Sequence, residues 1–182
     1  YAPCPRGNSH TPCGLLDHTA DQIKKAITEE SGSILVFLPG QSEIRHVAEK
    51  LAMLPSDVSL HRLYGELSPE EQNAAIAPAA PGRRKIVLAT AIAETSLTIQ
   101  GIRLVIDAGL ARVSRFSPST GMNTLITGRE TQDCADQRAG RAGRTEPGIC
   151  WRLWAQGEHL LPCRRPEILE ADPVPMLLDC LA

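Results

Sequence analysis

The residues best suited to chemistry form one short segment, Gln137 to Arg144, with the sequence QRAGRAGR. If this segment is helical, with about 100° per residue, Gln137, Arg141 and Arg144 project within about 60° of one another. Arg138 then points about 100° away from Gln137. Two guanidiniums one turn apart repel unless an anion lies between them, and planar guanidiniums match phosphate oxygens in bidentate fashion. The spacing predicts a catalytic surface that faces a triphosphate; a solvated basic helix face is the alternative.

Two glycines interrupt this segment, Gly140 and Gly143, and each costs a helix interior about 1 kcal/mol relative to alanine. We expect close backbone approach to a neighbouring element to offset that cost. An arginine aimed at a transferring phosphoryl group, an arginine finger, accelerates the reaction by about 10³ to 10⁵. The sequence has neither a GxxxxGKS/T phosphate loop nor an acidic cluster of the DExH type. We therefore expect one wall of a nucleotide site whose other wall lies elsewhere, and no ATP hydrolysis by this chain alone.

Hydroxyl side chains form a second candidate site in the segment ATAIAETSLTI, residues 89–99, which follows an apolar run. Thr90 comes at the carboxyl end of this predicted strand, where ligands bind in parallel sheets. Ser96 and Thr98 carry hydroxyls that can meet phosphate, ribose or a backbone amide, although such hydroxyls often only cap helices. A third segment, Phe37 to Gln41, ends a strand and begins a helix, so its amides could hold a phosphate or form a purely structural turn.

Buried strands must position these segments. A short continuous apolar run is typical of a strand covered on both faces. Such runs predict strands at Ser33–Leu38, Leu60–Tyr64, Lys85–Ala89, Arg103–Asp107 and residues 148–154.

Helical patterns separate the strands. Thr19 is predicted to cap a first helix, and Ile44 to Leu51 mark a second. Ser68 to Glu71 have the form of a capping box that begins a third helix, and Thr131 to Arg144 predict a further helix. Strands that alternate with helices imply an α/β fold, with a mostly parallel sheet between two helical layers.

Composition excludes several classes of protein. The 182 residues are 42% hydrophobic and 22% charged, which suits one globular domain with its own core. A net charge of −2 argues against a general polyanion binder. Residues 83–115 nevertheless hold six basic and two acidic side chains, which favours a local phosphate-facing surface or ordinary scatter. No apolar run suits a membrane span and no CxxC pair occurs, so we expect a cytoplasmic protein without a metal site.

Together these segments resemble three motifs of the DEAH-box helicases of superfamily two. QRAGRAGR is similar to motif VI, ATAIAETSLTI to motif V and LVFLPGQSEI to motif IV, in the same order. LVFLPGQ and the later RPEILEAD are most similar to the bacterial HrpB-type members, and the resemblance covers roughly residues 31–171. It implies the second RecA-like domain, with three layers, at residues 19–158. Residues 1–18 would be an entry linker, and residues 159–182 would begin the connection to a winged-helix region.

The resemblance also implies what this domain works with. ATP with Mg²⁺ would be bound mainly by an absent first RecA-like domain that carries the phosphate loop and the DExH motif. The full-length protein would be an ATP-dependent helicase acting on single-stranded nucleic acid, with RNA favoured over DNA. Its other partners would be the first RecA-like domain and the winged-helix region of the same polypeptide. A non-catalytic module that docks a partner or a nucleic acid is the alternative.

Residue roles on the nucleotide side follow from the same resemblance. Arg141 and Arg144 would approach the γ-phosphate in the closed state of the enzyme. Gln137 would position the attacking water or touch the phosphate. Ser96 and Thr98 would face the ribose or base.

On the nucleic-acid side, the resemblance implies contacts from a hairpin and from the turns that follow two of the predicted strands. The resemblance places the hairpin at Asp107 to Thr124, against the strand being separated. The implied contacts to the nucleic-acid backbone are Gly40, Thr90, Ala91, Arg112 and Arg115.

Three positions depart from the family pattern. Ala91 stands where the family usually has Asn, which removes one backbone contact. Gln100, a cofactor-side residue, stands where an acidic residue is frequent. Ile76 stands near the position of an aromatic residue that stacks on adenine in eukaryotic members, so it offers apolar contact only.

Overall fold

The computed structural model describes residues 1–4, 12–95, 97–117, 122–144, 147–164, 177, 178 and 180. In these ranges the helices are α1 (Pro12–Glu29), α2 (Gln41–Lys50), α3 (Pro69–Ile76), α4 (Ile92–Thr95) and α5 (Gln132–Ala139). The strands are β1 (Ser33–Phe37), β2 (Val58–Leu63), β3 (Arg84–Ala89), β4 (Ile102–Asp107), β5 (Leu110–Ser117), β6 (Met122–Arg129) and β7 (Ile149–Arg152). None of these helices has the length and apolar character needed to cross a membrane.

Five parallel strands form the central sheet in the order β2-β3-β1-β4-β7. The middle strand β1 is buried along its whole length because it has a hydrogen-bonded neighbour on each side and packed helices above and below. The predicted α/β architecture, a parallel sheet between helical layers, is confirmed. The five predicted strands are also present, with their ends shifted by at most two residues.

Two apolar clusters cover opposite faces of the sheet. Side chains alternate along β1, so Ile34 and Val36 pack with α1 and α2, whereas Leu35 and Phe37 pack with α3 and α4. The carboxyl ends of all five strands therefore meet at one edge, between the two helical layers.

The first helix begins earlier than predicted. α1 starts at Pro12, and Thr19 lies fully buried in its interior. The Thr19 hydroxyl donates to the Leu15 carbonyl (2.8 Å), so it does not cap the helix. The prediction was wrong because a threonine hydroxyl can bond to its own helix backbone as well as cap a new helix. Residues 12–18 are thus helical, and the domain limits stay a prediction.

Both ends of α3 have their backbone groups satisfied. The predicted capping box is confirmed, since Ser68 accepts from the Glu71 amide (3.3 Å) and Glu71 accepts from the Ser68 amide (3.1 Å). At the other end, the buried Lys85 donates Nζ to carbonyls of the last turn, including that of Ala75 (2.7 Å). Burial lowers the pKa of Lys85 to about 8.

A hairpin leaves the main sheet after β4. β5 and β6 pair antiparallel, from Leu110 opposite Arg129 to Ser117 opposite Met122. The structure therefore has a hairpin where one was expected, although its second strand continues past Thr124. Residues 118–121 lie outside the described residues.

Candidate nucleic-acid and nucleotide interfaces

A groove of about 370 Å³ lies at the carboxyl edge of the sheet. The turns after β1, β2 and β3 form its walls, together with the start of the hairpin. Thr90 and Ala91 line it, and the Thr90 amide donates to the Leu63 carbonyl (3.1 Å), which fixes this turn beside the end of β2. Arg112 lines the same groove. Three residues expected on the nucleic-acid side, Thr90, Ala91 and Arg112, are thus brought together.

Gly40 lies against the guanidinium of Arg112. A methyl group at Gly40 would come within 2.8 Å of Glu43 Oε2 and 3.0 Å of Arg112 Nε. Arg112 Nη2 donates to Glu43 Oε1 (3.2 Å), and the arginine side chain stays 37% exposed. Because the Arg112 side chain stays partly exposed, a phosphate can compete with Glu43 for its guanidinium. Arg115 lies further along β5, opposite Thr124, and its side chain is outside the described part of the structure.

The helix that precedes the arginines is shorter than predicted. α5 ends at Ala139 with Gly140 as its C-cap, so the prediction of a helix to Arg144 was wrong. Gly143 has a φ of +78°, a left-handed conformation that favours glycine. A methyl group on Gly148 would lie 2.2 Å from the Gly143 nitrogen, so these two backbones pack directly together. The glycines shape a turn, and angles computed along a helix do not apply to the arginines within it.

This turn holds Arg141 and Arg144 against the segment that follows α4. Arg141 Nη1 donates to the Leu97 carbonyl (3.1 Å), and Arg144 Nη1 donates to Thr98 Oγ1 (3.0 Å). Burial, and then the charge of Arg144, lower the pKa of Arg141, so the two guanidiniums lie close enough to repel. A bound anion relieves such repulsion, and guanidinium pairs are strong phosphate ligands. We call residues 140–144 the arginine turn.

The other residues predicted on the nucleotide side do not all join the arginine turn. Gln137 is exposed on α5, and Ser96 lies outside the described residues. The Gln100 side chain is exposed, and its backbone N–H donates to the Ile76 carbonyl (3.4 Å) at the end of α3. Thr98 therefore lies beside the arginine turn, whereas Gln100 lies beside α3.

Arg138 was not among the predicted site residues, yet its side chain is almost completely buried, at 1% exposed, and lies among acidic side chains. Its Nε donates to Glu94 (2.7 Å), its Nη1 donates to Asp107 (2.8 Å), and Glu130 also contacts Nη1. The guanidinium lies over the Phe37 ring, 5.0 Å from the centroid, which adds a cation–π contact. The missed signal was the set of acidic residues at element ends, which the fold brings around one buried arginine.

One carboxyl of this cluster has a raised pKa, which favours its protonated form. Burial, and then the negative charge of Asp107, raise the pKa of Glu130 to about 9, although Arg138 opposes the shift. The cluster therefore surrounds the guanidinium of Arg138 with three acidic side chains, of which Glu130 has the raised pKa. We call Arg138, Glu94, Asp107 and Glu130 the Arg138 cluster.

The arrangement can contribute cationic groups to a nucleotide. A guanidinium carries more N–H donors than Arg141 and Arg144 use on Leu97 and Thr98, so phosphate oxygens fit the arginine turn. Over the described ranges, no group of three His, Cys, Asp or Glu side chains is placed to hold a metal ion. Phosphate binding is therefore the chemistry that these residues suit.

The parallel sheet, the groove at its carboxyl edge and the arginine turn define the class of RecA-like helicase domains. A family model described as the helicase conserved C-terminal domain matches residues 18–146, and the chain belongs to this family. The chain is 52% identical over 168 residues to the ATP-dependent RNA helicase HrpB of Escherichia coli K12. This match covers 91% of the chain and 21% of HrpB.

More distant relatives and a solved structure agree with this family. The chain is 44% identical over 152 residues to the pre-mRNA-splicing factor ATP-dependent RNA helicase prp22 of Schizosaccharomyces pombe, covering 78% of the chain and 13% of that protein. The crystal structure of the E. coli DEAH/RHA helicase HrpB matches all of this chain with a TM-score of 0.92 and 48% identity. The chain covers 23% of that structure, so it spans less than a quarter of these relatives.

Proposed function

We propose that this chain is the second RecA-like domain of an ATP-dependent RNA helicase and completes an ATP site built mainly on a first domain. The observation that carries the proposal is the arginine turn, where Arg141 and Arg144 lie together beside Leu97 and Thr98. ATP with Mg²⁺, when bound by the first domain, would supply the phosphoryl group that is transferred to water. Arg141 and Arg144 would stabilise the charge that develops on that group, as arginine fingers do.

Gln137 is proposed to position the attacking water, and Ser96, Thr98 and Gln100 to lie on the ribose and base side. The support differs among them. Thr98 accepts a hydrogen bond from Arg144, which keeps it at the arginine turn. Gln137 is exposed on α5 and free of the core, as a residue that meets another domain must be.

The groove is proposed to hold the backbone of single-stranded RNA. Thr90, Ala91 and Gly40 offer backbone groups and a hydroxyl, and Arg112 offers a cation that pairs with the carboxylate of Glu43. Contacts of this kind address phosphate and sugar, so binding would be independent of base sequence and weakened by salt. Arg115, further along β5, is proposed to contact the same strand.

The test replaces Arg141 with alanine in the full-length enzyme. ATP turnover stimulated by RNA should fall by about 10³-fold or more, because the transition state loses its cation. Affinity for ATP should change little, since the first domain would hold the nucleotide. Arg45→Ala is the matched control, because Arg45 is exposed on α2 on the opposite face of the sheet.

Two outcomes would contradict the proposal. Turnover that survives Arg141→Ala would remove the finger role and favour the alternative of a non-catalytic docking module. Loss of ATP affinity equal to the loss of turnover would mean that Arg141 binds the ground state alone.

A further inference from the structure

Arg138 connects α5, which precedes the arginine turn, with the hairpin, which begins beside the groove. It lies on α5, three residues before Arg141 of the arginine turn. Besides its carboxylate partners, Arg138 Nη1 donates to the Leu110 carbonyl (3.2 Å), where the hairpin begins. Glu130, which contacts the same nitrogen, follows the last residue of the hairpin. One side chain therefore fastens both legs of the hairpin to α5.

Glu94 lies between the groove and the arginine turn along a single segment. Thr90 and Ala91 line the groove, and Leu97 and Thr98 hold the arginines. Glu94 is buried between them, and its Oε1 accepts from both Nε (2.7 Å) and Nη2 (2.6 Å) of Arg138. A shift of α4 toward or away from the groove would therefore act on α5 through this pair.

The alternative that the pair only stabilises the fold explains less. The Arg138 cluster already gives the guanidinium a second anion in Asp107, a backbone carbonyl and an aromatic face. What Glu94 adds is a connection to α4, since Asp107 and Glu130 lie at the ends of β4 and β6. Charge-assisted hydrogen bonds in a buried setting are directional, so they transmit position as well as stabilise.

We propose that the Glu94–Arg138 pair couples RNA in the groove to the arginine turn. Glu94 and Arg138 act as positioning residues. Arg138 is among the residues that line the groove, but it is only 1% exposed and its guanidinium is held by the acidic side chains of the cluster. The inference rests on the proposed function and deepens it. RNA contact at Thr90 and Ala91 sets the position of α4. Because Glu94 of α4 is bonded to Arg138, a displacement of α4 moves Arg138 and therefore α5. The arginine turn, which follows α5, moves with it.

The experiment uses Glu94→Gln in the full-length enzyme, with a poly-uridine oligonucleotide as the RNA. Glutamine keeps the size of the side chain and removes its charge. The measured quantity is the ratio of ATP turnover with saturating poly-uridine to turnover without it. We expect this ratio to fall by about tenfold, within the range of typical coupling energies. Turnover without RNA and affinity for poly-uridine should stay within about threefold of wild type.

Glu158→Gln is the matched control, because it neutralises a carboxylate that pairs with Arg129 at the surface (2.7 Å). If Glu94→Gln does not fold, Arg138→Lys tests the same pair, since an ammonium cannot reach Glu94 and Asp107 in the geometry of the guanidinium. Thermal unfolding establishes which variant is folded.

An unchanged ratio in a folded variant would overturn the coupling role. So would equal losses of stimulated and unstimulated turnover, which a purely structural role predicts. Neither result bears on the predicted loss of turnover in Arg141→Ala. Wild-type turnover in Arg141→Ala would instead overturn the proposed function itself, so the two failures are distinguishable.

Discussion

The contacts of each arginine in the segment 137–144 determine whether its positive charge is available to bind an anion. Arg138 is enclosed by the acidic side chains of Glu94, Asp107 and Glu130, and we propose that it positions other groups. Arg141 is half-buried and Arg144 is exposed, and each donates to an uncharged oxygen. Because neither of these contacts cancels a positive charge, Arg141 and Arg144 keep their attraction for an anion. The same residue type thus has two roles within seven positions.

Glu130 gives a prediction about pH. Its pKa is raised from 4.5 to about 9 by burial and by Asp107, with Glu94 adding to the shift and Arg138 opposing it. The folded chain therefore holds a proton that the unfolded chain has lost, and the contribution of Glu130 is fully present only below pH 4.5. The free energy of unfolding should fall as pH rises from 4.5 through 9, by up to about 1.4 kcal/mol per pH unit for one proton.

Urea unfolding of this chain across that pH range, compared with Glu130→Gln, isolates the effect. Glutamine resembles the protonated acid, so the variant should lose this part of the pH slope. Glu158→Gln at the surface should keep it. A wild-type slope in Glu130→Gln would show that the proton resides on another group.

Among the elements, α3 offers a direct test of local sequence rules. Ser68→Ala removes the side-chain oxygen that accepts from the Glu71 amide, and should lower the free energy of unfolding by about 1 kcal/mol. Ser42→Ala is the matched control, because the Ser42 hydroxyl donates to the neighbouring Glu43 side chain and the N-cap of α2 is Gly40. Urea unfolding measures both. Equal effects of the two substitutions would mean that the capping box contributes nothing specific.

Local rules explain why some elements could be predicted and others could not. The strands and the capping box depend on residues that are adjacent in sequence, so apolar runs and Ser68 to Glu71 were sufficient. The end of α5 depends on Gly148 packing against Gly143, which sequence spacing does not reveal. The Arg138 cluster depends on the topology that brings Glu94, Asp107 and Glu130 together, although they are far apart in sequence. The hairpin was expected only from the family resemblance.

On the scale of the whole molecule, the two interfaces lie on different parts of the sheet. The groove lies at the carboxyl edge of the strands, whereas the arginine turn lies beside Leu35 of β1 and Ile102, the first residue of β4. The groove uses the turns that follow β1, β2 and β3, and the arginine turn follows a helix that begins just after the hairpin. The relatives reported above are four or more times longer than this chain, and we propose that another domain supplies the rest of the nucleotide site. A cleft that closes on ATP would then bring the arginine turn to the phosphates.

We propose that Arg141 acts on the transition state of ATP hydrolysis. The most direct measurement compares the affinity of the full-length enzyme for ADP with aluminium fluoride, a mimic of the transferring phosphoryl group, with its affinity for a non-hydrolysable ATP analogue. Arg141→Ala should weaken binding of the mimic by about 100-fold or more and leave the analogue within about threefold. Equal affinities of wild type and Arg141→Ala for the mimic would contradict this role of Arg141.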